Sequence, residues 1–172
     1  MKLNIFKNHA VLFVLLLLPF TSVDAKRYSF KIDSQREVYV CRSAKPGYKM
    51  VEVIAYGRNV DKAIDKAKMD AVVVLTFFGA SGKGEMESVP AILLDGRKEY
   101  DNNRKFFDKF FKKGQFMSYV EDVNSGYPTG SNNIKTSRGR RVRIILLVDW
   151  NGLAKYYKEA GLKTAVSELS EY

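Results

Sequence analysis

The sequence predicts an α+β fold, in which an antiparallel or mixed sheet carries two or three helices on one face. Three observations support this prediction. Several segments alternate apolar and polar residues and are joined by short connections, which favours neighbouring antiparallel strands. One long segment, 58–79, repeats its apolar residues at spacings of three and four, which is typical of an amphipathic helix. The chain beyond a predicted export signal, 26–172, is long enough for a single domain with its own core.

Two strands are predicted first. The segment 36–43 (REVYVCRS) and the segment 48–57 (YKMVEVIAYG) are separated by the turn sequence KPG. In the second strand, Val51 and Val53 alternate with residues that include Met50 and Ile54, so apolar side chains point to both sides. This pattern predicts a strand that is largely covered on both faces.

The segment 58–79 is predicted to be the central helix of the core. Asn59 is a suitable N-cap, and Gly79 is suited to the left-handed residue that follows a helix. Alanines at a spacing of four on the apolar face would let this helix lie close to the sheet. These are Ala63, Ala67 and Ala71. The opposite face carries Lys62, Asp65, Lys66, Lys68 and Asp70.

Residues 80–114 are predicted to form a basic helical insertion. Its first part, 80–99, is a long connection of a kind that is often functional or mobile. A second helix is predicted over 100–113, with Asp101 near its cap and Gly114 after its end. The phenylalanines between Phe106 and Phe111 form a narrow stripe, which at helical spacing favours burial in the core over contact with a membrane.

The last third of the chain predicts two more strands and a helix. The segment 115–123 (QFMSYVEDV) is the first strand, and 140–150 (RRVRIILLVDW) is the clearest strand in the sequence. Between them, 124–137 has the composition of an exposed, mobile loop. Asp149 or Asn151 can cap the final helix, and Gly161 can end it.

The amino terminus, 1–25, has the pattern of a secretory signal peptide. Two lysines precede an apolar run that is too short to span a bilayer, and small residues follow it, so we expect cleavage after Ala25. No cysteine follows the run directly, so the lipoprotein pattern is absent. We therefore expect an exported protein that is periplasmic or associated with the outer membrane. Its lone Cys41 is either buried or available for an intermolecular bridge, and its place in an apolar alternation favours burial.

Residues missing from the exported chain exclude much enzyme chemistry. The only histidine of the full sequence, His9, lies in the predicted signal. The exported chain therefore has no histidine for a catalytic triad or for a metal ligand. A single cysteine cannot form a redox or zinc pair. The loop sequence GASGKGE follows a helix and lacks the spacing of a phosphate-binding loop. We therefore assign no catalytic, metal or cofactor residue and expect no cofactor. A carboxylate-dependent hydrolase stays open, since pairs such as Glu121/Asp122 or Glu85/Glu87 exist.

Clusters of basic residues are the candidate binding sites. The net charge of the full sequence is +10, and removal of Lys2, Lys7 and Asp24 with the signal leaves +9. Such a surface attracts anionic partners. One candidate cluster lies before and within the last strand: Lys135, Arg138, Arg140, Arg141 and Arg143. The other lies in the second helix: Arg104, Lys105, Lys109, Lys112 and Lys113.

Two segments of the chain resemble small exported domains of bacterial envelope accessory proteins. The residues that carry the resemblance are the strand MVEVIAYGRN with the alanines of the first helix, and the strand ending in VDW followed by NGLAKYYKEAGL. These segments, Met50 to Gly79 and Arg141 to Leu162, are similar to the amino-terminal domain of a flagellar outer-membrane-ring assembly protein and to a family of small outer-membrane lipoproteins. The resemblance implies an assembly or interaction module and transfers no site residue; the lipoprotein cysteine is missing here.

The sequence thus favours a non-catalytic binding or assembly protein of the bacterial envelope, an accessory part of a surface, secretion or motility structure. Other envelope proteins are the expected partners, and nucleic acid is not expected after export. The alternative is a soluble periplasmic binder of anionic lipid or envelope polymer. A carboxylate-dependent hydrolase is the third hypothesis.

Overall fold

The computed structural model describes residues 27–32, 35–124 and 126–165. Within these ranges the α+β class is confirmed, with four α-helices rather than two or three and a mixed sheet of six strands. In chain order the elements are β1 (Glu37–Arg42), β2 (Tyr48–Gly57), α1 (Val60–Phe77), β3 (Ser81–Gly82), α2 (Gly96–Asn102), α3 (Arg104–Lys112), β4 (Val120–Asp122), β5 (Asn133–Thr136), β6 (Gly139–Asp149) and α4 (Trp150–Glu159). The predicted signal peptide, 1–25, lies outside the described residues.

Strands β2 and β6 form the centre of the sheet. They pair antiparallel along their full length, from Tyr48 opposite Asp149 to Gly57 opposite Arg140. The strand order is β3-β1-β2-β6-β4, and only the short pairing of β1 with β3 is parallel. β4 and β5 both pair with β6, β4 near its end and β5 near its beginning.

The helices lie on one side of this sheet, where α1 packs on β2 and β6 and the other three contact α1. The strand residues on that face are fully or almost fully buried: Val51, Val53, Ala55, Val142, Ile144, Leu146 and Val148. Their neighbours on the other face, such as Ile54 and Ile145, are only half-buried. The prediction that β2 is covered on both faces is therefore wrong, because its outward apolar residues have no helix above them.

Helix α1 is the core helix that the sequence predicts. The Asn59 side chain accepts a hydrogen bond from the Lys62 amide at 2.9 Å, and Gly79, with φ +77°, donates from its amide to the Val74 carbonyl at 2.8 Å. The three alanines have no exposed surface. A Cβ on Gly57 would lie 2.3 Å from the Ala63 nitrogen, so the end of β2 touches the first turn of α1. The predicted cap, helix end and close packing are confirmed.

Replacing Ala67 with leucine should lower the free energy of unfolding by about 1–3 kcal/mol, because three added carbons would have to fit between α1 and the sheet. Urea denaturation measures the effect. Leucine at the exposed Lys62 of the same helix is the matched control and should change stability by less than about 0.5 kcal/mol. Equal stability of the two variants would contradict the close packing at Ala67.

The segment 96–112 contains two helices rather than the single helix predicted over 100–113. α2 begins earlier, where the Asp95 carboxylate accepts from the Lys98 amide at 3.2 Å, so the cap is Asp95 and not Asp101. The break falls at Asn103, whose side-chain amide donates to the Glu99 carbonyl at 3.1 Å. Asparagine commonly bonds to nearby backbone in this way and thereby competes with helix continuation.

The phenylalanine stripe of α3 is part of the core, as predicted. Phe107, Phe110 and Phe111 have no exposed surface, and Phe106 is half-buried. They pack against aromatic rings of α1, α2, α4 and the segment before β1, and Phe111 stacks on Phe30 at 4.3 Å between ring centroids. The Tyr157 hydroxyl of α4 lies 3.0 Å from the Thr76 hydroxyl of α1, and burial raises the pKa of Tyr157.

The outer face of α1 is not wholly solvated. Asp70 is 3% exposed, because the segment that precedes β1 covers this part of the helix. The Arg36 Nε donates to the Asp70 Oδ1 at 2.7 Å, and the Lys66 Nζ donates to its Oδ2 at 2.5 Å. Asp70, which the sequence places on the charged face of α1, is therefore buried.

The connections are also more structured than the sequence predicts. The first part of 80–99 is closed by paired backbone hydrogen bonds between Ala80 and Val89, and the Lys83 amide donates to the Val40 carbonyl of β1. Within 124–137, β5 pairs with β6, while the Tyr127 hydroxyl donates to Asp61 of α1 at 2.5 Å, which raises the pKa of Tyr127. The strand predicted over 115–123 is mostly a 3₁₀ turn, and only β4 forms at its end.

Candidate functional site

The face of the sheet opposite the helices, which we name the open face, is the candidate functional site. No described helix packs against it. Strand pairing arranges its side chains in four rows. The rows are Arg42, Met50, Leu147 and Glu121; Tyr39, Glu52 and Ile145; Glu37, Ile54 and Arg143; and Tyr56, Arg141 and Ile134.

Apolar side chains are unusually exposed on the open face. Tyr39 is 37% exposed, Tyr56 is 50% exposed and Ile134 is 43% exposed. Met50, Ile54, Ile145 and Leu147 add partly exposed surface. Contiguous exposed apolar surface of this kind marks interaction sites in soluble proteins.

Glu52 is the charged centre of the open face. Its side chain is 14% exposed, and its Oε1 accepts from the Lys83 Nζ at 2.7 Å. The Arg143 Nε lies 3.9 Å from the same oxygen, too far for a hydrogen bond, and this buried nitrogen has no hydrogen-bond partner among the described residues. The Arg143 guanidinium therefore has donor capacity left for an acceptor on a second molecule.

Cys41 borders the open face at an irregularity in the pairing of β1 with β2. It is half-buried, not buried as predicted, because the pairing shifts between Val40 and Arg42. Its Sγ lies 3.7 Å from the Met50 carbonyl oxygen, and burial, assisted by the Glu52 charge, raises the pKa of the thiol. A raised pKa keeps the thiol protonated, which makes it a weak nucleophile.

The basic residues of the first candidate cluster do not lie on one surface. Side chains alternate along a strand, so Arg141 and Arg143 lie on the open face whereas Arg140 and its partner Lys135 point to the opposite side. Arg138 lies in the tight turn between β5 and β6. Arg138 and Arg140 line a hollow of about 370 Å³ next to Tyr56 and Gly57.

The second candidate cluster is separate from the first. Arg104, Lys105, Lys109, Lys112 and Lys113 lie on or beside α3, in the helical layer, and all five are exposed. The Lys112 Nζ pairs with Asp108 at 2.9 Å, and the Arg104 guanidinium lies 5.9 Å from the Tyr100 ring centroid. The ten candidate residues thus form several basic surfaces rather than one site.

The two candidate carboxylate pairs differ in placement, and only Glu85 and Glu87 line a common groove. Glu121 and Asp122 are neighbours in β4, so their side chains point to opposite faces of the sheet. Glu85 and Glu87 lie exposed on the loop after β3. Among the described residues, no three His, Cys, Asp or Glu are grouped so that they could hold a metal ion.

The open face is the site that sequence reasoning missed. The alternation of Arg141 and Arg143 with buried valine and isoleucine in β6 could have indicated it, as could Glu52 within β2. These charges mark the side of each strand that no helix covers.

The fold and this surface define the class of protein: a two-layer α+β sandwich with helices on one side of the sheet and an open, partly apolar face on the other. Comparison of the chain with protein-family models, curated proteins and solved structures found no match. None of the helices in the described ranges is both long and apolar enough to cross a membrane.

Proposed function

We propose that this chain is a non-catalytic binding protein, exported to the bacterial cell envelope, that serves as an accessory part of a surface, secretion or motility structure. The observation that carries the binding role is the open face. The amino-terminal signal pattern supports export to the periplasm or the outer membrane. The partner is another envelope protein.

The composition of the open face supports a protein partner. Interface cores are enriched in aromatic residues, methionine and arginine, and depleted in lysine. The open face presents Tyr39, Tyr56, Met50, Arg141 and Arg143. The flat surface of a sheet with apolar rows gives another protein a broad contact area, and the arginines favour a partner that carries carboxylates beside an apolar patch.

Photo-crosslinking from defined positions tests this proposal. A benzophenone amino acid replaces Tyr56 or Ile145 on the open face, or Lys155 on the outside of α4 as the matched control. We expect one identified envelope protein to be crosslinked from the open face and not from Lys155. The same product should be lost when Ile54→Glu is combined with either probe, with circular dichroism confirming the fold.

Two outcomes would contradict a protein partner on the open face. One is crosslinking of the same protein from Lys155 as efficiently as from Tyr56 and Ile145. The other is a crosslinked product that survives Ile54→Glu unchanged. Washing in 1 M salt, where the Debye length is about 3 Å, separates an apolar interface from charge attraction alone.

The alternative function is binding of an anionic lipid or envelope polymer. The hollow beside Tyr56 favours it, because Arg138 and Arg140 line this hollow and have no ion pair within the described chain. Flotation with vesicles of phosphatidylglycerol, against vesicles of phosphatidylcholine, measures this binding. Replacing Arg138, Arg140, Arg141 and Arg143 with glutamine should abolish it, whereas replacing Lys105, Lys109, Lys112 and Lys113 should not.

A further inference from the structure

A second surface of a different character lies at the corner of the sheet, beside the turn from β1 to β2. It is a groove of about 660 Å³ between that turn and the loop 85–90. Val40, Met50, Met86, Val89 and Trp150 supply its apolar lining. The groove borders the open face at Met50, but most of its lining lies beyond that face.

The two sides of the groove carry opposite charges. Arg42, Lys45 and Lys49 line the side formed by β1, β2 and their turn. Glu85 and Glu87 line the side formed by the loop. Within the described ranges none of these five side chains takes part in an ion pair.

Aromatic rings hold the cationic side of the groove in position. The Lys45 Nζ lies 3.8 Å from the centroid of the Tyr48 ring, and the Lys49 Nζ lies 5.1 Å from the centroid of the Trp150 ring. A cation over an aromatic face is attracted by the electron density of the ring. These contacts place both ammonium groups on the wall of the groove without neutralising their charge.

Trp150 lines the groove, and its indole ring carries an unsatisfied donor. The residue is 7% exposed, and its indole Nε1 is buried with no hydrogen-bond partner in the part of the chain that the structure describes. A buried N–H group without an acceptor costs free energy, and a carbonyl oxygen that reaches it recovers that cost. Peptide backbones carry such an oxygen at every residue.

We propose that this groove binds an extended segment of a partner protein in which acidic and basic side chains alternate around an apolar residue. Successive side chains of an extended chain point to opposite sides. Neighbouring acidic and basic residues would therefore direct carboxylates to the cationic side and ammonium groups to the acidic side. A polyanion would be repelled by Glu85 and Glu87, which favours a peptide of both charges over an anionic lipid or polymer.

This inference extends the proposed binding function to a second surface, and the two can be tested apart. Trp150 is the only tryptophan in the sequence, so intrinsic fluorescence reports on the groove alone. The probes are three capped peptides of nine residues with valine at the centre: one alternates glutamate and lysine, one replaces every lysine with glutamine, and one replaces every glutamate with glutamine.

We expect the alternating peptide to change the Trp150 emission at a midpoint concentration at least about tenfold lower than either single-charge peptide, because only it satisfies both sides of the groove. Combining Glu85→Gln with Glu87→Gln should remove most of this preference, and so should combining Arg42→Gln with Lys45→Gln. Lys155→Gln with Glu159→Gln, an exposed pair on α4, is the control and should leave the titration unchanged.

Three outcomes would overturn the proposal: equal midpoints for the three peptides, an unchanged preference in both groove variants, or a larger response to phosphatidylglycerol vesicles than to the alternating peptide. Repeating the titration with Ile54→Glu keeps the tests distinct. That change blocks the open face, so an unchanged titration shows that the groove acts independently of the crosslinked partner.

Discussion

Replacing Asp70 with asparagine should lower the free energy of unfolding by about 3–5 kcal/mol, one of the two largest effects expected in this protein. Asp70 and Arg36 are both 4% exposed at their side chains, so their charges have left water almost completely. The amide keeps the shape of the carboxylate but not its charge. The buried guanidinium of Arg36 would then lose the anion that offsets its desolvation, and the partly exposed Lys66 would lose its ion pair.

Urea denaturation at neutral pH measures this loss, and the chain offers a matched control. Asp101 also pairs with a basic residue one turn away on a helix, the Arg97 Nε at 3.1 Å, but its side chain is 57% exposed. Asp101→Asn should therefore cost at most about 1 kcal/mol. If the two substitutions lowered stability equally, the segment before β1 would not bury Asp70 in solution.

Replacing Phe111 with alanine should cost about 3–5 kcal/mol, because a fully buried ring is removed where the surroundings cannot easily collapse. Phe111 has no exposed surface and is in ring contact with Phe30, Phe77, Phe110 and Phe116. Its stacking on Phe30 also connects α3 to the segment before β1, whose Tyr28 amide donates to the Lys112 carbonyl at 3.1 Å.

Two measurements separate this effect from a general loss of stability. Urea denaturation gives the change in unfolding free energy, with Phe78→Ala, at a 42% exposed ring, as the control that should lose about 1 kcal/mol or less. Hydrogen exchange at the Tyr28 amide should accelerate more than exchange at the Val53 amide in β2. Equal acceleration at both amides would mean that Phe111 does not anchor this segment.

Local sequence signals predicted the parts of the fold that depend on local physics. The N-cap at Asn59, the left-handed Gly79, the cap at Asp149 and the buried phenylalanines of α3 each follow from residue preferences within a few positions. The same reasoning failed where a distant partner decides the outcome. β5 forms in a loop-like sequence because it pairs with β6. Asp70 is buried because the segment before β1 covers it and places Arg36 against its carboxylate.

The candidate site could be predicted only in part, for the same reason. The basic cluster in the sequence includes Arg141 and Arg143 of the open face. It also includes Lys135 and Arg140, whose side chains point to the other side of the sheet because side chains alternate along a strand. The open face is the side of the sheet that the helices leave uncovered. The alternation of residues along a strand distinguishes two faces but does not show which of them the helices cover. Glu52 was the strongest local sign, since a carboxylate in a strand is rarely buried and therefore marks the side that the helices leave uncovered.

The order of the strands also has a consequence for how the chain reaches its native state. β2 and β6 are the central pair of the sheet, yet three α-helices and three strands of the described residues lie between them in the chain. Pairings between distant segments slow folding, because the connecting chain must lose its freedom before the contacts form. We therefore expect β2 to have no partner on one edge until the last third of the chain has been synthesised. Such a chain folds late, which would suit the export that we propose, because a secretion channel receives unfolded chains.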